Sequence, residues 1–272
     1  MTVPRGRFRI GTCSWSTRDW IGKIYSPGTA QADYIREYAQ HFDTVEIDAT
    51  FYGTPRQSTI EGWRDRTSES FLFSAKAPQI ITHDKFMQGC ERDVAEFLNA
   101  MQLLGPRLGP VVFQFPYFAA KKNVKQRDFL ERLTPFLKTL PKDGFRFVVE
   151  VRNKAWLNER LFEPLRDHGV ALALIDHPWM APPKQLTALA GAITAPFTYI
   201  RWLGDRYGIE KITTTWNEHV VDRNNDMLEW LPLVRRELEK KVDVFGYVNS
   251  HYSGYAPGDA NFFREKLGAG QC

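Results

Sequence analysis

Residues 145–151 read FRFVVEV, a run of aromatic and β-branched residues with one glutamate, Glu150, near its end. Such runs are typical of strands in a parallel sheet, which are buried on both faces. Further short apolar runs bounded by turn residues recur along the chain and predict strands of the same kind. The eight predicted strands are Phe8–Cys13, Thr44–Ala49, Phe71–Lys76, Pro110–Phe115, Phe145–Val151, Val170–Asp176, Phe197–Trp202 and Asp243–Asn249.

Helical patterns of apolar residues lie between these strands, such as Val94, Phe97, Leu98 and Met101 ahead of the fourth one. Strict alternation of strand and helix predicts an α/β fold with a parallel sheet. Eight such units predict a single closed (β/α)8 TIM-like barrel over residues 1–272, a length close to the roughly 250 residues typical of that fold. An open, doubly wound sheet is the alternative.

Composition and charge indicate which kinds of binding partner and which compartment are expected for the protein. The formal net charge of +4, from 36 basic and 32 acidic residues, predicts no strong sequence-independent attraction to nucleic acid or to a membrane surface. Three cysteines without a C-x-x-C pair argue against a disulfide framework, and a reducing cytoplasm fits them best. No apolar run approaches the roughly 18 residues needed to cross a bilayer. We therefore expect a cytoplasmic protein with no membrane partner.

Polar residues at the strand ends predict a site inside one end of the barrel. Glu46 and Glu150 each lie between β-branched residues, where a parallel strand should be apolar. Side chains alternate along a strand, so steps of two along each strand assign the strand-end residues to the same face as these glutamates. If this face points into the lumen, the strand-end residues meet at the carboxyl end of the barrel, where the sites of this fold are built. These residues are Glu46, Lys76, Gln114, Glu150, Asp176, Arg201 and Asn249. The alternative is a purely structural role, with Glu46 paired to Lys76 or Arg201 and Glu150 paired to Arg152.

Several short motifs give the chain a resemblance to a known family. They are GTCSW at 11–15, VEI at 45–47 with TFY at 50–52, FSAKAP at 73–78, FQFP at 113–116, VEVR at 149–152 with Trp156, and YVN at 247–249. With these motifs in order over almost the whole chain, the sequence resembles the YecE-like family, catalogued as domain of unknown function 72. The resemblance implies a TIM-like barrel with a polar cavity at the strand ends and brings no established reaction. The chain departs from the family at Leu203, where a histidine is common, and at Ser250, where a second asparagine is frequent.

The family pattern, carried onto this chain, extends the candidate site. Catalytic roles are predicted for Glu46, Glu150, Lys76 and Asp176. Substrate binding is predicted for Trp15, Phe51, Tyr52, Gln114, Arg152, Trp156, Arg201, Tyr247 and Asn249. Paired acids beside cations suit acid/base catalysis, because such surroundings can separate two pKa values, and aromatic rings can stack on sugars or bases.

We therefore expect chemistry of the hydrolase or lyase type on a polar, anionic molecule that contains phosphate or sugar. Whether the chain is an enzyme stays open. A non-catalytic binder of nucleotide, single-stranded nucleic acid or sugar phosphate would use the same cations and aromatic rings. The expected partner is a small polar anionic molecule, and nucleic acid is a weaker alternative.

The sequence contains no motif that demands a metal or a cofactor, so no metal ligand is assigned and no cofactor is required. Acids and imidazoles at the strand ends leave a single-metal, phosphodiesterase-like enzyme with magnesium or manganese as a further alternative. These side chains are Glu46, Glu150, Asp176, His177 and His251. The long connection at 203–225 follows the seventh strand and predicts a mobile rim over the cavity.

Overall fold

The computed structural model describes residues 6–119, 124–189 and 191–268. Eight parallel strands pair in the order β1-β8-β7-β6-β5-β4-β3-β2, which brings β1 beside β2 and nearly closes the sheet on itself. The strands are β1 Phe8–Thr12, β2 Thr44–Ile47, β3 Leu72–Lys76, β4 Leu108–Gln114, β5 Phe147–Glu150, β6 Ala171–Asp176, β7 Phe197–Trp202 and β8 Asp243–Val248. The predicted α/β barrel and the position of each predicted strand are confirmed.

Helices follow most strands and pack outside the barrel. They are α1 Tyr34–His41, α2 Gln57–Asp65, α3 Glu91–Met101, α4 Gln126–Thr139, α5 Glu159–Asp167, α6 Pro183–Ala188, α7 Arg206–Ile209, α8 Asn224–Leu228, α9 Leu231–Glu239 and α10 Ala256–Gly268. The residues that pack a helix onto the sheet recur at helical spacing, such as Val94, Phe97, Leu98 and Met101 in α3, all of which are buried. No helix in the described ranges is both long and apolar enough to cross a membrane.

Side chains that face the lumen are identified by contacts between strands that are not neighbours. Ser74 on β3 lies with its hydroxyl 2.8 Å from that of Tyr199 on β7, and Thr44 on β2 lies 2.7 Å from the Tyr247 hydroxyl on β8. Only inward-pointing side chains can meet across a barrel in this way. Alternate residues of the strands therefore fill the lumen, as predicted for β2, β3, β5, β7 and β8.

The predicted orientation of β6 is wrong. Ala173 and Ile175 face the lumen, so Asp176 points outward, toward the helices. There its carboxylate accepts hydrogen bonds from the Trp230 indole at 3.0 Å and the Tyr252 hydroxyl at 3.3 Å. Asp176 therefore fastens outer elements to the sheet and does not reach the lumen.

The seam between β1 and β2 is bridged by a side chain. The Tyr38 hydroxyl accepts hydrogen bonds from the backbone N–H and the hydroxyl of Thr12, each at 2.9 Å, and donates to the Thr44 carbonyl at 3.2 Å. Gly11 permits this close approach, since a Cβ at that position would lie 2.0 Å from the Thr44 carbonyl oxygen. Tyr38 thus satisfies backbone groups that a ladder between β1 and β2 would otherwise pair.

Candidate active site at the carboxyl end of the barrel

A buried ion cluster lies in the lumen just below the carboxyl ends of the strands. The Arg201 guanidinium donates to Glu46 at 2.6 Å and to Glu150 at 2.5 Å. Tyr199 donates to the second oxygen of Glu46 at 2.6 Å, and Arg152 donates through Nε to the second oxygen of Glu150 at 2.9 Å. Every carboxylate oxygen of the two glutamates therefore has a donor, and both side chains are fully buried.

The electrostatics of the cluster keep Glu150 ionised. Burial by itself would raise the pKa of this carboxyl, but the positive charges of Arg201, Arg152 and Lys76 outweigh it and lower the pKa to about 2. The predicted pairing of Glu150 with Arg152 and of Glu46 with Arg201 is present. Glu150 is therefore a fixed carboxylate and not the protonated member of an acid/base pair near neutral pH.

A cavity of about 250 Å³, which we call the mouth cavity, opens directly above this cluster. Its lining comes from the ends of several strands and from the loops that follow them. The lining residues are Asp48, Phe51, Tyr52, Lys76, Gln114, Arg152, His177, Arg201, Leu203, Gly204, Arg206, Asn249 and His251. Seven of the predicted site residues thus meet here, namely Phe51, Tyr52, Lys76, Gln114, Arg152, Arg201 and Asn249.

An ion pair between Lys76 and Asp48 forms one wall of the mouth cavity. The Lys76 ammonium lies 3.1 Å from Asp48 Oδ1 and 3.9 Å from the centre of the Phe51 ring, which adds a cation–π contact. The angles of this ion pair are not those of a hydrogen bond, so Asp48 Oδ1 has no hydrogen-bond donor in the described chain. The Asp48 side chain is 38% exposed, so it can exchange partners more readily than the buried glutamates.

Two arginines that line the mouth cavity have nitrogens without a hydrogen-bond partner among the described residues. Arg201 is buried, and its unpartnered Nε is itself a buried atom, so it is not exposed to the cavity. Arg152 uses Nε for Glu150, and the described chain provides no acceptor for its two terminal nitrogens. The Arg152 side chain is 27% exposed, so its terminal nitrogens are available to an oxyanion in the cavity as charged hydrogen-bond donors.

Two imidazoles also line the mouth cavity. Burial lowers the pKa of His177, and the charge of Arg152 lowers it further. Its Nδ1 accepts a hydrogen bond from the Trp179 backbone N–H at 3.2 Å, which leaves the proton of the neutral ring on Nε2. Burial likewise lowers the pKa of His251, and this effect outweighs the opposite influence of Glu210, 3.2 Å away.

Asp48, His177, His251 and Arg206 also line the cavity, although none of them is among the predicted catalytic or substrate-binding residues. Because side chains alternate along β2, Asp48 lies on the same face as Glu46, so its position could be predicted from the sequence. His177 and His251 are predicted only as possible metal ligands at the strand ends, and Arg206 lies in the segment 204–208 after the seventh strand, a position that often holds phosphate in barrels.

Four predicted site residues lie away from the mouth cavity. Asp176 faces outward, as described above. Trp156 is buried against Phe118 and Phe129, with ring centres 5.4 and 5.1 Å away. Tyr247 lies deeper in the lumen, and Trp15 lines a separate cavity beside the mouth.

The predicted rim, residues 203–225, reaches the mouth cavity only through Leu203, Gly204 and Arg206. Its later part is fastened to other loops. The Trp216 backbone accepts from the Trp20 indole at 2.8 Å, and the backbone N–H groups of Val220 and Val221 donate to the Ser253 carbonyl. The mobility of this segment stays a prediction. Since these bonds hold its later part, we expect any motion to be largest in the part before Trp216.

A metal site is not evident in the described ranges: they contain no group of three or more His, Cys, Asp and Glu side chains placed to hold a metal ion. The lining of the cavity includes the cationic side chains Lys76, Arg152, Arg201 and Arg206.

The chain is similar to several known proteins. A family profile described as "Protein of unknown function DUF72" matches residues 9–271. The UPF0759 protein YunF of Bacillus subtilis is 27% identical, with 95% of this chain and 94% of that protein covered. The UPF0759 protein YecE of Escherichia coli is 30% identical over 172 residues, which cover 61% of this chain and 58% of YecE. The crystal structure of a DUF72 family protein from Thermotoga maritima has a TM-score of 0.75 at 23% identity, with 96% of this chain and 99% of that chain covered.

Proposed function

This chain belongs to the DUF72 family of proteins of unknown function, and we propose that it is an enzyme of the hydrolase or lyase type. Its substrate would be a small anionic molecule that contains phosphate or sugar, held in the mouth cavity. The observation that carries the proposal is the Arg152 guanidinium, which lines one polar cavity together with Lys76 and Arg206 and whose terminal nitrogens have no acceptor among the described residues. We propose no required cofactor, and a cytoplasmic location remains part of the proposal.

Arg152 and His177 would bind the anionic group. A guanidinium matches phosphate or carboxylate with two parallel N–H donors and stays charged at any relevant pH. His177, neutral because burial lowers its pKa, would add a third donor through Nε2. In this arrangement Glu150 holds Arg152 in position through the 2.9 Å hydrogen bond to Nε.

Asp48 and Lys76 would transfer protons. They are titratable groups 3.1 Å apart that both line the cavity, so a substrate bound there lies within reach of both. When a substrate anion pairs with Lys76, Asp48 is freed to accept a proton, and Lys76 can donate one to a leaving oxygen. Glu46 and Glu150, which the sequence predicted as the catalytic acids, would instead fix Arg201 and Arg152 beneath the substrate.

Phosphate binding tests the anion site. Isothermal titration with inorganic phosphate should give a weaker affinity for Arg152→Gln than for the unmodified protein, by about tenfold to a hundredfold, because hydrogen bonds to a charged group contribute about 1.5–3 kcal/mol. Arg92→Gln is the matched control, since Arg92 is exposed on α3. Equal phosphate affinity in the Arg152→Gln and Arg92→Gln proteins would contradict the proposal.

Turnover tests the acid/base roles. A panel of phosphate monoesters, sugar phosphates and hydroxy acids is assayed with the unmodified protein, Lys76→Met and Lys85→Met. Lys85 is a matched control because it also pairs with an aspartate, Asp93, at 2.6 Å, but outside the mouth cavity. Any turnover should fall at least about a hundredfold in Lys76→Met and persist in Lys85→Met.

A non-catalytic binder of nucleotide, single-stranded nucleic acid or sugar phosphate is the second candidate. The hydrogen bonds of the two glutamates favour this candidate, because all four carboxylate oxygens accept from a side chain and none is free to take part in proton transfer. Phosphate binding without turnover of any panel member would favour this binder over the enzyme.

A further inference from the structure

A second cavity opens beside the mouth, and we propose that it binds the sugar ring of a substrate whose anionic group lies in the mouth cavity. We call it the tryptophan cavity, because Trp15 and Trp63 form part of its lining, with Asp48 and the serines 14 and 16 also on its surface. This inference rests on the proposed function and names the substrate class more closely: a phosphorylated sugar rather than a free small anion.

The size of the two cavities supports an extended ligand. The mouth cavity, at about 250 Å³, is smaller than the roughly 300–1,000 Å³ of most small-molecule sites. The tryptophan cavity adds about 390 Å³, and a smaller space of about 170 Å³ lies between them. Together the three spaces fall within the usual range, so the site is large enough for a ring joined to an anionic group.

The three spaces share lining residues, from which we infer that they adjoin one another around Asp48. Asp48 lines all of them, and Ser14 lines both the small space and the tryptophan cavity. Asn249 and His251 line both the small space and the mouth cavity. A molecule that spans the site therefore passes the Asp48 carboxylate, which lies 3.1 Å from the Lys76 ammonium. The bond between ring and anionic group would then lie beside the proposed proton-transfer pair.

The shape and polarity of the tryptophan cavity favour a saturated sugar ring. The rings of Trp15 and Trp63 lie 5.3 Å apart between centres at an interplanar angle of 86°, so they form a corner rather than a parallel slot. Two indoles packed edge to face leave no parallel-sided slot into which a flat base could insert, and the accessible part of either ring offers an apolar surface to the C–H groups of a sugar ring. The Ser14 and Ser16 hydroxyls, 3.1 Å apart, and the exposed Gln31 amide can bond the ring hydroxyls.

Filling the tryptophan cavity tests the proposal without touching the mouth cavity. Ala32 and Ala49 are exposed residues on its wall, so Ala32→Phe and, as a second variant, Ala49→Phe place a ring in the cavity. Ala95→Phe is the control, because Ala95 is an exposed alanine on α3. Thermal unfolding of each variant verifies that it folds, and affinities for glucose 6-phosphate and inorganic phosphate are measured by isothermal titration.

The expected result is that glucose 6-phosphate binds at least about tenfold more tightly than phosphate to the unmodified and Ala95→Phe proteins. In the two filled variants that advantage should disappear while phosphate affinity stays within about twofold. Equal affinities in the unmodified protein, or an advantage that survives filling, would overturn the sugar subsite.

A failure of the proposed function gives a different pattern. If phosphate does not bind at all, the anion site is absent, and methyl glucoside then tests the ring subsite alone by saturation-transfer difference NMR. A methyl glucoside signal that is lost in Ala32→Phe would support the subsite. No signal, or one that persists in Ala32→Phe, would refute it.

Discussion

Replacement of Arg201 by methionine should destabilise the barrel strongly at neutral pH. Arg201 is 2% exposed and is the shared donor to Glu46 and Glu150, both fully buried. Removal of one partner from a buried ion pair costs about 3–5 kcal/mol, because the remaining charge is left without compensation. We expect the free energy of unfolding of Arg201→Met to fall by that amount at pH 7.

The pKa of Glu150 gives an independent estimate of the same size. A carboxyl whose pKa is lowered from 4.5 to about 2 contributes about 3 kcal/mol to stability when it is ionised. The folded state holds the lower pKa, so this contribution is complete above about pH 4.5 and is lost as the pH falls through about 2. The unmodified protein should therefore lose stability across that interval.

Urea unfolding, followed by circular dichroism at pH 7, measures the effect. Arg127→Met is the control, since Arg127 is 77% exposed and its ion pair should contribute under about 1 kcal/mol. A triple variant that combines Arg201→Met with Glu46→Gln and Glu150→Gln should recover most of the loss, because the uncompensated charges are then gone. A loss below about 1 kcal/mol in Arg201→Met, or a triple variant no more stable than the single one, would refute this reasoning.

Three further substitutions have distinct expected outcomes. Gly11→Ala should lower the free energy of unfolding by at least about 2 kcal/mol, measured by urea unfolding, because its Cβ would lie 2.0 Å from the Thr44 carbonyl oxygen. Asp176→Asn should lower the melting temperature yet leave phosphate affinity within about twofold, since the carboxylate bonds Trp230 outside the lumen. Asp48→Asn should bind phosphate several-fold more tightly, by about 1 kcal/mol in titration calorimetry, and lose turnover at least about a hundredfold.

The sequence predicted the barrel and the core of the site because both depend on simple periodicities. Short β-branched runs located the strands, and a period of two correctly directed Glu46, Glu150 and Arg201 into the lumen. Burial of a charged residue in a strand carries a desolvation penalty unless the charge is paired, so each glutamate also predicted a cationic side chain nearby. The partner of each acid could not be specified, because pairing across the barrel depends on the distance between strands that are far apart in sequence.

The error at Asp176 has a physical cause in β6. This strand reads ALALID, and either its alanines or its leucines can face inward. The lumen beside it is already filled by large rings, including Tyr199 and Phe197 on β7. Small residues fit beside these rings, so Ala171 and Ala173 face the lumen and the leucines pack against the helices. Ile175 faces the lumen on the same side, two residues further along, where its neighbour on β7 is Arg201. A count backward from the polar strand end gave the opposite face, because it ignored the volume of the neighbouring strands.

Exposure and charge pairing together explain why Asp48, rather than either glutamate, is the group able to change state when an anion binds. Glu46 and Glu150 accept hydrogen bonds at all four oxygens and are fully buried, so any change of partner would leave a charge uncompensated away from water. Asp48 has one ion-pair partner, Lys76, and a side chain that is 38% exposed, so water can solvate its carboxylate when that partner is lost. Under the proposed function, an arriving phosphate would therefore compete with Asp48 for Lys76 at a modest electrostatic cost. This competition would make phosphate binding weaker than the cations alone would give, and it would release the Asp48 carboxylate beside the bound anion only when the site is occupied.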